Sequence, residues 1–373
     1  MSVLIVLHEA TRTGAPRIGG LIAGALQHHR DVRILSLTDG PILDWLRERV
    51  GPENVDVHQY DKPRHQISFN ERLEFAKSYL ERDPVPIIYV NSLAACEFVF
   101  AAKAAGKFTV LHVHEKKEEM RKLLTIQLMK LEVLELCDAV VLAADNLRED
   151  LLDVFGFLPE RVMNFGIAVD AEEVERLAKD GEPEARTASG TPFTRTDRLV
   201  IGMVGHASQR KGSDIFFNAA KTLPQHDFIW IGNWAAEDAP ENTIYSDFLE
   251  DRLPNLSTSG GVSNPYKYIS NFDLFFLSSR EDPNPVVLAE ALILGVPILA
   301  FSKTTAVTDF LGRCAMLCHG HTNLADSVRV LKALDPTEVR SNAFKPNVPE
   351  HRQRFSVTDK VADLVDLLDS LQP

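Results

Sequence analysis

The sequence has too few cysteines, too little positive charge and too short apolar runs for several classes of protein. Four cysteines in 373 residues are too sparse for a disulfide framework, which favours a reducing compartment. The formal net charge of −13 leaves no basic excess for phosphates and argues against nucleic-acid binding. No segment approaches the length of a membrane span, and the N-terminus lacks the basic region of a signal peptide. We therefore expect a cytoplasmic protein.

Several signature motifs are also missing. The first βα turn lacks G-x-G-x-x-G, which disfavours a dehydrogenase, and neither a P-loop nor G-x-S-x-G is present. Without an Asp-x-Asp triplet, the common carboxylate clamp for Mg²⁺ or Mn²⁺ on a diphosphate is absent. The spacing of Cys314, Cys318, His319 and His321 departs from that of structural zinc sites. We expect no metal and no cofactor.

Apolar runs of strand length alternate with helical patterns along the chain, which predicts an α/β protein with parallel sheets. The first series of predicted strands is Val3–Leu7, Val32–Leu37, Val55–His58, Ile87–Val90, Phe108–Val113 and Ala139–Leu142. The second series is Leu199–Val204, Phe228–Ile231, Leu274–Leu277, Pro297–Ala300 and Ala315–Leu317. Predicted helices of the first half are Ile18–His29, Asn70–Leu80, Ala94–Ala105 and Glu118–Leu136.

These series predict two domains, as the length also suggests. The first covers 1–179 and the second covers 198–355, and the apolar spacing at 356–371 predicts a C-terminal helix. Between them, 180–197 is rich in charge, Gly, Pro, Ser and Thr, which indicates a linker or a surface excursion. Two doubly wound sheets bind ligands at the carboxyl ends of their strands.

The most informative stretch is 277–300, which contains a strand, a polar loop, a helix beginning near Pro285 and a second strand. The helix N-terminus offers unpaired N–H groups, including those of Val286 and Val287, to an anion such as phosphate. Glu281 and Glu290 flank this helix start, and carboxylates accept hydrogen bonds from vicinal hydroxyls. The stretch therefore predicts a site for a phosphate-bearing polyol.

In each series, a glycine-containing loop follows the first strand. In the second domain, Gly205 ends the strand, and Arg210 and Lys211 precede a helix, where they suit a pyrophosphate. A solvated Arg-Lys pair is the alternative. In the first domain, Gly14 and Ala15 lie in a loop that an ordinary tight turn explains as readily as a ligand loop.

His112 and His114 are two residues apart at a strand end, so regular strand geometry would place them on one face. His114 is nearer the end and is the better candidate to reach a ligand, although a purely structural histidine is the alternative.

The region from Lys103 to Lys130 carries local positive charge within an acidic protein. A solvated helix start explains the mixed run at 115–119, and peripheral contact with the inner face of a membrane is the alternative.

In their order and spacing, these elements resemble the retaining family-4 glycosyltransferases of GT-B fold over nearly the whole chain. The matching pieces are 13–16, 112–115, 164–167, 202–205, 210–212, 278–283 and 290–291. The resemblance implies two Rossmann-like, doubly wound domains facing across a cleft. It also implies that the last helix crosses back onto the first domain.

The resemblance implies roles for individual residues. His114 would face the donor sugar, Gly14 and Ala15 would offer backbone groups to the diphosphate, and Lys211 with Arg210 would neutralise the leaving phosphate. Glu290 would hold ribose hydroxyls and Glu281 those of the sugar. The remaining donor-binding candidates are Gly205, Asp282, Asn284, Val286 and Val287.

The chain departs from the family pattern at two places. His206 replaces the arginine usual after the second-domain glycine. The family's two glutamates are eight residues apart, whereas Glu281 lies nine residues before Glu290 and Asp282 lies eight before it. We favour Glu281 as the first carboxylate, with Asp282 as the alternative.

The expected activity is therefore metal-independent transfer of a sugar from a nucleotide-diphosphate sugar. The acceptor would be a glycan, a lipid-linked molecule or a small molecule. The alternatives are a sugar-nucleotide epimerase of the same fold and a non-catalytic nucleotide-sugar-binding homologue, the latter suggested by His206.

Overall fold

A computed structural model describes residues 2–371 except 182, 234–245, 247–249, 283–284, 303–314, 319–323 and 342–343, and for 315–318 it describes the backbone alone. The chain divides into two compact units. The first unit comprises 1–168 and 356–373, and the second comprises 169–355.

The sheet of the first unit has seven parallel strands in the order β3-β2-β1-β4-β5-β6-β7. Its strands are β1 (Val3–Leu7), β2 (Val32–Ser36), β3 (Val55–Val57), β4 (Ile87–Val90), β5 (Phe108–Val113), β6 (Ala139–Leu142) and β7 (Val162–Asn164). The first six match the predicted strands to within one residue at each end. The three-residue β7 was missed because it is too short and too exposed to show a strand pattern.

Helices cover this first sheet. They are α1 (Gly14–Leu26), α2 (Leu43–Val50), α3 (Phe69–Arg82), α4 (Glu97–Ala104), α5 (Lys117–Thr125), α6 (Val133–Leu136), α7 (Leu147–Phe155) and α15 (Val357–Ser370). Helix α15, from the C-terminal end of the chain, packs against α1. Short 3₁₀ turns lie at Pro52–Asn54, Arg64–Gln66 and Leu93–Ala95.

The single helix predicted over Glu118–Leu136 is wrong, because α5 ends at Thr125 and α6 begins only at Val133. Between them, Gln127 has a left-handed backbone with φ of 57°. Its carbonyl accepts a 2.6 Å hydrogen bond from the buried guanidinium of Arg72. A contact with a residue 55 positions away thus stabilises the break.

The sheet of the second unit has seven strands in the order β14-β13-β12-β9-β10-β11-β8, and only β8 is antiparallel to its neighbour. The strands are β8 (Arg186–Thr187), β9 (Val200–Val204), β10 (Asp227–Ile231), β11 (Leu256–Thr258), β12 (Leu274–Leu277), β13 (Ile298–Phe301) and β14 (Ala315–Cys318). The short β8 and β11 were missed. The described helices of this unit are α8 (Ala171–Ala178), α9 (Ser213–Thr222), α10 (Tyr266–Ile269), α11 (Val286–Ile293), α12 (Leu324–Lys332), α13 (Pro336–Arg340) and α14 (Val348–Arg354).

The division between the units differs from the predicted boundary. It lies after Ala168 rather than after residue 179, because α8 packs against α10 and α11 of the second unit. The predicted linker at 180–197 is not a free connection, since β8 within it pairs with β11 at the sheet edge. Of the two interpretations of 180–197, the structure therefore favours the surface excursion.

Each sheet reverses its strand order at one place, between β1 and β4 in the first unit and between β9 and β12 in the second. At such a point, the connections leave the carboxyl ends of neighbouring strands in opposite directions and open a crevice for ligands. The loops that follow these strands contain most of the predicted site residues.

Beneath the first sheet's loops lies a buried ionic cluster. The carboxylate of Glu97, at the start of α4, is fully buried and is hydrogen-bonded by Arg64. The guanidinium of Arg72 is also fully buried, with its Nε 3.8 Å from Glu97 Oε2. Arg72 Nη1 donates to the carbonyls of Arg64 and Ile67 as well. The cluster ties the loop before α3 to α4.

We predict that Glu97→Ala lowers the free energy of unfolding of the first unit by about 3–5 kcal/mol, because it leaves the buried guanidinium of Arg72 and the half-buried guanidinium of Arg64 without a counter-charge. Hydrogen exchange of β1 and β4 peptides in urea would measure this loss unit by unit. As the control, Glu74→Ala removes an exposed partner of Lys77 and should cost no more than about 0.5 kcal/mol. Equal effects of the two substitutions would contradict this account of the cluster.

Candidate active site

In the second unit, two loops lie side by side at the point where the strand order reverses. One runs from Gly205 to Gly212 after β9, and the other from Ser278 to Pro285 after β12. The Arg280 backbone N–H donates to the Arg210 carbonyl at 2.8 Å. Ser278 Oγ donates to the Lys211 carbonyl at 3.0 Å. These bonds hold Arg210 and Lys211 beside the second loop.

A bidentate ion pair reinforces this contact between the loops. The Arg280 guanidinium donates to both carboxylate oxygens of Asp214, in the first turn of α9, at 2.6 Å each. The same guanidinium donates to the Gln209 carbonyl at 2.7 Å. Hydrogen bonding from Arg280 to Asp214 raises the pKa of this arginine, so the pair stays charged.

Gly212 is the residue that allows the two loops to approach. Its φ of 69° is left-handed, and a Cβ built on it would lie 2.0 Å from the carbonyl oxygen of Ser278. No side chain fits at that distance, and backbone atoms on both sides leave little room to adjust. The glycine before α9 is therefore required by packing as well as by conformation.

Lys211 reaches across to the second loop. Its Nζ forms an ion pair with Asp282 Oδ2, which also lies 3.4 Å from Ser279 Oγ. Asp282 is buried, whereas the Glu281 side chain is exposed and its backbone carbonyl accepts a bond from Arg210. The chain turns so that Asp282, and not Glu281, faces Lys211.

The N-terminus of α11 follows the second loop, and the first N–H groups of a helix have no partner within the helix. Its first residues, Val286 and Val287, are half-buried, and no side chain caps the helix at Pro285. One turn on, the buried carboxylate of Glu290 accepts a 2.9 Å hydrogen bond from the Tyr266 hydroxyl. Asn284 lies outside the described residues. Tyr266 was missed because nothing in its sequence surroundings points to Glu290.

At the end of β9, the carbonyl of Gly205 accepts a 3.0 Å bond from the Trp230 indole. A Cβ on Gly232 would lie 2.1 Å from the same oxygen, so the backbone around Gly205 is tightly enclosed. His206, at the position where the family usually has arginine, is exposed.

In the first unit, Asn91 connects two of the predicted residues. Gly14 and Ala15 form the first turn of α1 rather than a loop, and Thr13 does not cap this helix through its side chain. Asn91, directly after β4, donates through Nδ2 to the Ala15 carbonyl at 2.8 Å. His114, directly after β5, has its Nε2 3.1 Å from Asn91 Oδ1.

The histidines at the end of β5 are neutral. The rings of His112 and His114 lie 4.0 Å apart, as expected if they share a face. His112 is fully buried and has its Nδ1 2.8 Å from the Tyr89 hydroxyl, so its role is structural. Burial, with a smaller contribution from nearby His8, lowers the pKa of His114 to about 3. Burial also lowers the pKa of His8, directly after β1, to about 4.

Glu115 fixes the backbone beside His114. Its carboxylate accepts the His114 N–H at 3.0 Å and the hydroxyl of Ser92. Burial raises the pKa of Glu115, and these hydrogen bonds oppose the shift. Asn91 and Glu115 were not among the predicted site residues. Their place directly after strands of a parallel sheet was the signal that could have found them.

The basic side chains around α5 are largely neutralised. Lys117 pairs with Asp153 at 2.7 Å and Lys116 with Asp150 at 3.8 Å. Arg121 pairs with Glu118 at 2.9 Å within the helix. These contacts favour the solvated helix over an anionic-membrane contact for this surface.

In the described part of the chain, no helix is long and apolar enough to cross a membrane. Nor do three or more His, Cys, Asp or Glu side chains gather into a potential metal site in those ranges. Of the four residues whose spacing was compared with zinc sites, three lie outside the described residues: Cys314, His319 and His321. The side chain of the fourth, Cys318, is not described.

Comparison with known proteins shows similarity to glycosyltransferases. Residues 187–335 match the family model described as Glycosyl transferases group 1. The processive diacylglycerol alpha-glucosyltransferase of Acholeplasma laidlawii is 27% identical over 161 residues. That alignment covers 40% of this chain and 45% of the relative, so it spans less than half of either protein.

Solved structures match the whole chain. Anabaena HepE in complex with UDP and glucose has a TM-score of 0.76 at 17% identity, covering 99% of this chain and 100% of that one. Sucrose-phosphate synthase from Thermosynechococcus elongatus has a TM-score of 0.73 at 12% identity, covering 100% and 99%. These similarities confirm the expected GT-B fold.

We predict that Gly212→Ala destabilises the second unit by several kcal/mol, or opens its two loops, because the new Cβ would collide with the Ser278 carbonyl. Gly190→Ala is the matched control, since Gly190 is also left-handed, with φ of 82°, but has no atom within 4 Å of the added Cβ. The Gly190→Ala substitution should lower the free energy of unfolding by only about 1–2 kcal/mol, the cost of a left-handed backbone at a residue that has a Cβ. Hydrogen exchange of β9 and β12 would measure both effects, and similar losses would refute the steric explanation.

The free energy of unfolding of the first unit should fall as the pH drops from about 6.5 towards 4. Unfolded histidines have an ordinary pKa of 6.5, whereas His8 and His114 have folded values of about 4 and about 3. The unfolded chain therefore binds more protons in this window, and stability is complete only above it. The raised pKa of Glu115 opposes the trend just above 4.5.

Urea unfolding at pH 7, 6 and 5 would measure this dependence. His114→Gln should flatten the slope, whereas His65→Gln, at an exposed position in the same unit, should leave it unchanged. A wild-type stability that is constant over this range would contradict the prediction.

Proposed function

We propose that this protein is a retaining glycosyltransferase, an inference supported by the match of residues 187–335 to the Glycosyl transferases group 1 family model. Its donor would be a nucleotide-diphosphate sugar and its acceptor a hydroxyl group. The observation that carries the proposal is the Lys211–Asp282 pair between two joined loops, close in sequence to the uncapped start of α11. A cation, backbone donors and a buried carboxylate suit a ligand that has both phosphates and hydroxyls.

In this proposal, Lys211 with Arg210 and the Val286 and Val287 amides stabilise the charge on the departing diphosphate. Such preorganised donors lower the barrier because charge develops on the leaving group as the glycosidic bond breaks. Asp282, displaced from Lys211 by the diphosphate, is then free to accept hydrogen bonds from sugar hydroxyls. Catalysis would require no bound metal.

Other residues would orient the donor. Glu290, held by Tyr266, accepts hydrogen bonds from the ribose hydroxyls. Gly205 and the first turn of α1, at Gly14 and Ala15, offer backbone groups to the diphosphate. His114 contacts the transferred sugar.

The identity of donor and acceptor is part of the proposal. Solved relatives with bound UDP and glucose make UDP-glucose the first donor to test. The Acholeplasma relative, named for transfer to diacylglycerol, makes a lipid the first acceptor to test. A lipid acceptor does not require a cationic surface, which agrees with the paired basic side chains around α5.

Lys211→Ala should lower the rate of sugar transfer by at least about 10²- to 10³-fold, because it removes the side-chain cation that faces the departing diphosphate. Lys221→Ala in the same unit, where Lys221 pairs with Asp251 on the surface, should leave the rate unchanged. The measurement is release of nucleoside diphosphate from a panel of nucleotide sugars, with diacylglycerol in micelles and with soluble sugars as acceptors. Near-normal turnover by Lys211→Ala would overturn the site.

Two other outcomes would overturn the activity. Conversion of the nucleotide sugar without any acceptor would identify an epimerase. Tight binding of a nucleoside diphosphate without transfer to any acceptor would identify the non-catalytic homologue suggested by His206.

A further inference from the structure

The orientation of the Asn91 side chain is fixed by its neighbours. Asn91 is fully buried, and its Nδ2 lies 2.8 Å from the Ala15 carbonyl oxygen, which can only accept a hydrogen bond. The NH₂ group must therefore face Ala15. The amide oxygen, Oδ1, must face His114 Nε2, which is 3.1 Å away.

This orientation decides which nitrogen of His114 carries the proton. An amide oxygen only accepts, so His114 Nε2 must be the donor. The ring is neutral because burial lowers the pKa of His114 to about 3, and a neutral imidazole has only one N–H. The proton is therefore on Nε2, and Nδ1 carries a lone pair. No described residue is hydrogen-bonded to Nδ1, so this nitrogen can accept a bond from a ligand.

We propose that Asn91 is a positioning residue that holds His114 as the Nε2–H tautomer, so that Nδ1 accepts a hydrogen bond from a substrate hydroxyl. An accepting nitrogen favours a hydroxyl and disfavours a phosphate or carboxylate oxygen, which has no proton to donate. The identification of that hydroxyl as one of the transferred sugar rests on the proposed function. The tautomer itself does not.

The surroundings keep this arrangement rigid. Gly19 of α1 leaves room for the amide, since a Cβ there would lie 2.8 Å from Asn91 Nδ2. Glu115 holds the His114 backbone, and the His112 ring packs on the His114 ring. The titratable groups near the ring are His8 after β1, His112 on β5 and Glu115.

The test is the ¹⁵N spectrum of the histidine rings in the full-length protein, recorded near pH 7 and assigned by comparison with His114→Gln. His114 should show a protonated Nε2 and an unprotonated Nδ1. Asn91→Leu, branched like asparagine but unable to hydrogen-bond, should mix the two tautomers. Asn91→Asp keeps an acceptor facing Nε2 and should restore the wild-type pattern. Asn54→Leu, at another carbonyl-bonded asparagine of this unit, should have no effect.

A protonated Nδ1 in the wild type, or an unchanged His114 pattern in Asn91→Leu, would overturn the inference. A merely structural Asn91 would change stability without changing the tautomer. If Asn91→Leu does not fold, the wild-type and Asn91→Asp spectra still decide the matter.

Kinetics separate this inference from the proposed function. Asn91→Leu should lower kcat by about 10- to 100-fold with a smaller change in the donor KM, and Asn91→Asp should recover most of the loss. The expected tautomer without any sugar transfer would leave the inference standing and overturn the function. Sugar transfer by a protein whose His114 carries its proton on Nδ1 would leave the proposed function standing and overturn the inference about Asn91.

Discussion

Parallel pairing within each sheet is the constraint on which the candidate site depends. Because β1, β4 and β5 run in the same direction, the segments that follow them emerge at one edge of the first sheet. Residues far apart in sequence, such as Ala15, Asn91 and His114, can then share hydrogen bonds. The parallel pair β9 and β12 has the same effect on the two loops of the second unit.

In both units, the polar side chains of the candidate site residues are held by local partners. In the second unit, Arg280 is held by Asp214 and Lys211 by Asp282, so both cations have defined positions before any ligand is present. In the first unit, burial keeps His114 uncharged, while an amide and a carboxylate fix its ring and its backbone. The candidate residues of the second unit thus include cations, and those of the first unit are neutral hydrogen-bonding groups.

The long strands and most of the site segments could be predicted from the sequence. Buried parallel strands are continuous apolar runs, and these runs were found at β1, β4, β5, β9 and β12. The predictions failed where local pattern is weak or where a distant contact decides. The short β7, β8 and β11 have too few residues to show a pattern, and the break between α5 and α6 depends on Arg72.

The sequence by itself determined the α/β architecture, the two sheets and the loops in which the candidate site residues lie, because apolar periodicity and glycine placement are local properties of the chain. Only the tertiary structure decided that Asp282 rather than Glu281 faces Lys211, and that Asn91 sets the protonated nitrogen of His114. Those outcomes depend on the direction in which each backbone segment turns and on which distant groups it then meets. Neither is encoded in the spacing of residues along one segment.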